Sequence, residues 1–167
     1  MRRFVLGFLL GLVLPAAAGI VAAFAGLFSV RASAKPPGWE TAFARRAFDA
    51  SVAREAPRQT NPIPATDEEL RRGLRLFRGD CAGCHGDFEK PSDWGANFYP
   101  PVPQFTRNPP RRPDWQIFWI VKNGVRYSGM GGWDRQISDA DVWRVAAFLS
   151  RLESLPPSVD AEWKRPR

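Results

Sequence analysis

A run of apolar residues without one charge opens the chain: FVLGFLLGLVLPAAAGIVAAFAGLFSV, from Phe4 to Val30. A helix crosses a bilayer core with about 20 such residues, so the run predicts a membrane-spanning helix. Pro15 inside it is tolerated, because neighbouring groups in a membrane re-satisfy the freed backbone. Ala32-Ser33-Ala34 has the small-x-small form of a cleavage site, which makes a removable signal sequence the rival reading. A signal core holds about 7 to 15 apolar residues, and the length of this one favours an anchor. Arg2 and Arg3 place the N-terminus in the cytoplasm by the positive-inside rule, with Arg31 and Lys35 beyond the run reducing the contrast. On either reading the remainder is exported.

Beyond the apolar run the chain carries helical periodicity. Trp39, Phe43, Ala47 and Ala50 recur at helical spacing and predict a helix over 39–56. It lies on the membrane surface or packs on the main domain, and its alanines favour packing. Pro36, Pro37 and Gly38 make a stiff spacer before it, and the three prolines of APRQTNPIPAT an extended linker after it. Thr66 with Glu69 forms a capping-box pattern that starts the next helix. Leu70, Leu74, Phe77 and Cys81 fall on one stripe of that helix, which would carry the first cysteine in on a buried face. Gly73 beside the stripe costs about 1 kcal/mol of helix stability relative to alanine, and close approach by another helix explains it. From Pro91 to Pro113 the chain is dense in proline, glycine and asparagine and predicts a loop, longer than the ~15 residues compact domains usually leave irregular unless the loop is functional. A helix then starts at Pro113 or Asp114 and ends at Asn123-Gly124. Another runs from Ser138, with Val142, Ala146 and Leu149 on one face, until Pro156 stops it. No segment alternates as a strand would, and no repeat is present, so the fold class is all-α. The pattern divides the chain into an anchor over 1–35, a linker with a short helix over 36–65, a domain over 66–155 and a tail over 156–167.

Charge changes this picture little. The formal net charge is +7, yet residues 1–65 carry eight Lys/Arg against three Asp/Glu, while residues 66–167 carry sixteen against fourteen. The basicity sits beside the membrane segment, where anionic headgroups attract it. Nucleic-acid binding is not supported.

Candidate chemistry is concentrated in GDCAGCHGDF, residues 79–88, which holds both cysteines and the only histidine. A structural zinc site wants four ligands; three are present, and the adjacency of Cys84 and His85 is awkward for chelating one ion. A redox-active C-x-x-C lowers its thiol pKa at a helix start in a βαβ setting, whereas here the helix precedes the motif and strands are missing. A disulfide between Cys81 and Cys84 closes a tiny loop and leaves His85 without a role. Covalent haem uses all three: C-x-x-C-H presents two thiols for the vinyl groups and an imidazole for the iron. Apart from Met1 the only methionine is Met130, between Gly129 and Gly131 in NGVRYSGMGGW. A loop between glycines is a poor place for core packing and suits approach to a flat cofactor, and a soft thioether suits iron as the second axial ligand.

These residues give the sequence its resemblance to the class I monohaem c-type cytochromes, especially their membrane-tethered members. The likeness covers roughly residues 66–155 and rests on Cys81, Cys84 and His85, on the NGV…GM run ending at Met130, and on the flanking helices. It implies a small helical shell around one haem c, attached through Cys81 and Cys84 and ligated by His85 and Met130, with the proline-rich loop over one edge. It implies that the helix bearing Gly73 and Phe77 crosses the C-terminal helix near Trp143. It also implies a proline carbonyl on the far nitrogen of His85, for which Pro103 is the candidate and Pro101 and Pro91 the alternatives. Gly131 stands where relatives often carry proline. Aromatic residues between and just beyond the two ligands, among them Trp94, Phe98, Tyr99, Phe105, Tyr127 and Trp133, are available as haem walls, about half of them expected in the core.

The implied function is electron transfer without catalysis: single electrons pass between redox proteins on the exported face, with the haem domain in the periplasm and the anchor in a bacterial inner membrane. The protein is then a tethered carrier or a subunit of a respiratory or dehydrogenase complex. A haem-based sensor or enzyme, with a labile or absent sixth ligand, is the alternative.

Overall fold

The computed structural model describes residues 1–166. Two compact units divide at Lys35 and Pro36. The first is built on α1 (Arg2–Phe24), an uninterrupted helix through Pro15 with no buried residue, long and apolar enough to cross a membrane.

The second unit is all-helical, and among the described residues its only β pairing is an isolated bridge between Asp87 and Lys90. Its elements are α2 (Gly38–Glu55), α3 (Asp67–Leu76), α4 (Ala82–His85), α5 (Asp114–Asn123), α6 (Asp139–Leu149) and α7 (Pro157–Trp163). The expected helix starts are real. Thr66 accepts a hydrogen bond from the Glu69 amide at 3.3 Å, and Ser138 does the same for Asp141 at 3.2 Å. The Thr66 box closes only on one side, because the Glu69 carboxylate pairs with Arg144 Nε on α6 at 2.5 Å rather than returning to its own helix end.

The core forms where α3 and α5 pack on α6. Leu74, Phe77, Phe118, Val142, Trp143 and Phe148 are buried there. The α3–α6 crossing is centred on Gly73, where the nearest groups to an added Cβ are the Arg144 carbonyl and Phe148 Cβ. Trp143 instead lies flat against Phe118 of α5, with ring centroids 4.0 Å apart and planes within 10°. The crossing therefore lies beside Trp143 as expected, but Gly73 meets the α6 backbone and the Phe148 Cβ there rather than the indole.

The cysteine stripe departs from regular α periodicity. α3 ends at Leu76, and residues Phe77–Cys81 form a π turn before α4 begins. A π turn inserts an extra residue into the helical ladder, and Cys81 at its end is partly buried and packs on the same core as Leu74 and Phe77.

Residues at both margins of the expected domain join it. Val52 and Ala56, at the end of α2, are buried, and Arg112 pairs with Asp49 while its guanidinium sits 5.1 Å from the Phe48 ring. The segment 156–167, expected as a tail, contains α7, whose Val159 and Trp163 are buried. Trp163 packs edge-on against Phe77 and Phe148, and Arg78 from the π turn donates to the carbonyls of Glu162, Trp163 and Arg165.

Candidate functional site

Residues Cys81, Cys84 and His85 are placed by the π turn and by the single turn of α4 beyond it. Both cysteines are free thiols. Cys81 has its pKa pushed up to about 12, first by burial, then by the neighbouring Asp80 charge and by Cys84. A redox-active C-x-x-C needs the opposite shift, so the thioredoxin-like reading fails on electrostatics as well as on fold. Among the described residues no three His, Cys, Asp or Glu side chains converge as a metal site of those types would need, which leaves the zinc reading without support.

α4 must stop at once for the chain to fold back over the histidine. Gly86 does this with φ +78°, a conformation in the left-handed region where glycine has no steric penalty. The loop then returns past α4, and Phe105 N–H donates to the His85 carbonyl at 3.1 Å. This return puts the Pro103 carbonyl 3.0 Å from His85 Nδ1. A carbonyl only accepts, so Nδ1 carries the proton and Nε2 is the nitrogen left for a metal. The imidazole is 9 % exposed and stacks on Phe105, centroids 4.3 Å apart at 13°. Burial lowers its pKa, opposed in part by the Pro103 hydrogen bond, and the ring is held neutral as a ligand must be.

Two polar residues that sequence reasoning does not single out hold this geometry. Gln104 donates from Nε2 to the carbonyls of Cys84 and Val102, each at 3.0 Å, and accepts from Ser92 N–H at 2.7 Å. Ser92 donates its hydroxyl to the Gly83 carbonyl at 2.5 Å and accepts from Gly95 N–H at 2.9 Å. The proline-rich loop is thus pinned to the backbone of the C-x-x-C turn itself. In the sequence only the position of Gln104 beside Pro103 hints at this.

Met130 lies in a tight loop beyond α5. Its N–H donates to Ser128 Oγ at 3.1 Å, its carbonyl accepts from Val125 N–H at 2.9 Å, and its side chain is partly buried against the core. The two halves of the site meet through the intervening loop. Gly95 packs on the Cys84 carbonyl, and three residues later the Phe98 ring fills the space where Gly129 would carry a Cβ, one residue from Met130. The other expected walls divide: Phe105 and Trp133 pack on the core, whereas Trp94, Tyr99 and Tyr127 are exposed.

The donor set fits a haem c. Two free thiols precede a neutral, buried imidazole whose Nδ1 is held by the Pro103 carbonyl, which leaves Nε2 as the nitrogen for a metal. Residues 68–149 match the family model for cytochrome c oxidase, cbb3-type, subunit III, a span that runs from the first turn of α3 to the last residue of α6 and takes in both cysteines, His85, Pro103 and Met130. No curated protein matches the chain. The attachment motif, the helical domain around it, the family match and the apolar N-terminal helix together identify the chain as a membrane-tethered monohaem c-type cytochrome, an electron-transfer protein whose one haem is joined covalently through Cys81 and Cys84.

Proposed function

We propose that the domain passes single electrons at the periplasmic face of the inner membrane, as a tethered carrier or a subunit of a cbb3-type oxidase or related respiratory complex, with His85 and Met130 as the iron ligands. The hydrogen bond from His85 Nδ1 to the Pro103 carbonyl carries this reading, because it fixes the tautomer and aims the other nitrogen. The haem domain proper is taken as residues 66–155, with the last turn of α2 and α7 packed around it.

Haem, when bound, supplies a centre that gains and loses one electron. Cys81 and Cys84 would hold its edge in thioether linkage, and His85 Nε2 would face the iron. The Pro103 carbonyl restrains ring rotation and increases the basicity of the imidazole, as outer partners of metal-bound histidines do. Phe105, flat against the ring, keeps water from that side. Met130 would offer sulfur, which favours the ferrous state and raises the potential. With His85 and Met130 both given to the iron, it would have no position left for a substrate.

Carbon monoxide added to the reduced protein tests the ligand set. Negligible or slow binding is expected; rapid binding would show an open position and turn the reading toward a sensor or enzyme. Co-migration of the haem-stained band with a larger complex on a native gel of gently solubilised membranes separates a subunit from a free carrier.

A further inference from the structure

α2 has two faces with different fates. Phe48, Val52 and Ala56 form the docked face, and Phe48 meets Arg112 of the main domain. On the opposite side Trp39, Phe43, Arg46, Ala50 and Arg54 fall within about 80° of arc at 100° per residue. Trp39 and Phe43, one turn apart, are each 72 % exposed, and Arg46, Ala50 and Arg54 are exposed beside them. The acids lie off this sector: Glu40 accepts from the Tyr99 hydroxyl at 2.7 Å, Asp49 pairs with Arg112, and Glu55 pairs with the neighbouring Arg54. What remains outward is aromatic, small and cationic.

We propose that this outward face of α2 lies on the lipid surface of the membrane that holds α1, with Trp39 and Phe43 among the headgroups and Arg46 against anionic phosphates. Three observations favour lipid over other occupants. Aromatic rings with arginine on an exposed helix face are the composition of interfacial helices, since such rings sit where an apolar body meets a wet boundary. Continuity with the anchor is the second: only residues 25–37 separate α1 from α2, a length that reaches about 45 Å at most and keeps α2 near the bilayer. The third is charge, because Arg46 shares the sector of the exposed aromatics and no acid does, and anionic headgroups attract such a charge by about 1 kcal/mol near the surface. The consequence is orientational. α2 is bound to the domain through Asp49, Val52 and Ala56, and through Glu40 to Tyr99, the neighbour of Phe98 that packs beside the Met130 loop. A helix resting on lipid therefore fixes which side of the domain faces solvent and partners, which a flexible tether alone does not.

The test is photocrosslinking of the full-length holoprotein in vesicles of phosphatidylcholine and phosphatidylglycerol, with Phe43→p-benzoylphenylalanine as the probe and the exposed α7 position Ala161 carrying the same group as control. Lipid adducts by mass spectrometry are expected at residue 43 and not at residue 161. Adding Arg46→Gln should lower the adduct yield about five-fold, the loss of about 1 kcal/mol of surface attraction. Equal yields at both positions, or protein dimers in place of lipid adducts at residue 43, would overturn the proposal. Flotation of every sample with the vesicles shows the anchor in place, so the outcome speaks to α2 alone.

Discussion

The Arg144 carbonyl oxygen lies where the first side-chain atom of residue 73 would have to be. Helix α3 accepts the propensity cost of a glycine at that point so that its backbone can touch α6. Gly73→Ala therefore sets a gain of about 1 kcal/mol in helix propensity against overpacking on backbone that cannot rotate away, which costs about 1 to 3 kcal/mol. The overlap is with main-chain atoms, so the loss should win. Denaturant unfolding of the holoprotein should show a lower midpoint for the variant, and a raised midpoint would mean that the helices separate easily.

Gln104 occupies three hydrogen-bonding groups around the attachment turn: the Cys84 and Val102 carbonyls and the Ser92 amide. Gln104→Leu keeps the volume and leaves them without that partner. The cost of an unsatisfied buried polar group is about 1 to 3 kcal/mol, and the half-exposed site puts the expectation at the lower end. Unfolding midpoints of variant and wild-type holoprotein check the size. Hydrogen exchange at Phe105 N–H, bonded to the His85 carbonyl, checks the place, since it should accelerate selectively.

Much of the helical framework is legible in the sequence because burying one face of a helix imposes a 3.6-residue period, visible at Leu70, Leu74 and Phe77, and because Thr66 and Ser138 announce their helices by capping chemistry. The same pattern brings Cys81 to that core but does not show the π turn over Phe77–Cys81, an extra residue that the apolar spacing does not register. α7 escapes it because its two buried residues, Val159 and Trp163, are too few to show a period. Pro156-Pro157 looks like a stop when Pro157 is in fact a first-turn proline. The motif at residues 81–85 is legible as local chemistry. The clamp by Gln104 and Ser92 is not, because its partners are backbone carbonyls brought near only by the fold.

Acid should weaken the domain through Asp114. Burial pushes its pKa up, but hydrogen bonds from Ser150 and Asn61 and the charge and hydrogen bond of Arg151 outweigh it and hold the carboxyl below the usual carboxylate range. Asn61 also donates to the Trp143 carbonyl at 3.1 Å, so the carboxylate ties the linker, α5 and the end of α6 together. A depressed folded-state pKa contributes stability that is complete above the unfolded value, about 3.9, and is lost as pH falls through the lower folded value. Wild type should exceed Asp114→Asn in unfolding free energy near neutrality, and the gap should close below about pH 4. A gap independent of pH would assign the difference to packing rather than ionisation.

Cys84 sits between the Gly83 carbonyl held by Ser92 and its own carbonyl held by Gln104, so two side chains fix its backbone. Cys84→Ser preserves that backbone and removes one thioether bond. The variant should accumulate far less haem-stained polypeptide on a denaturing gel than wild type, with apoprotein detectable by antibody. An undiminished stain would show that Cys81 alone suffices for stable attachment.

Met130 is reached by a loop braced at three points, the Ser128 hydroxyl, the Val125 amide and the Phe98 ring packed on Gly129. Gly131, where relatives often carry proline, is exposed and has nothing within 4 Å of a built Cβ. Beyond it the chain is held again at Gly132, packed on the Lys122 and Asn123 backbone, and at Trp133, whose N–H donates to the carbonyls of Val121 and Lys122. If the thioether is an iron ligand, Met130→Ala lowers the reduction potential, because sulfur stabilises the ferrous form more than the water or solute that would replace it. It also opens the reduced iron to carbon monoxide. Gly131→Pro, whose Cβ would meet nothing within 4 Å, should leave the potential unchanged or slow ligand exchange further by stiffening the loop. A Met130→Ala protein with the wild-type potential and no carbon monoxide binding would show that another group occupies the sixth position.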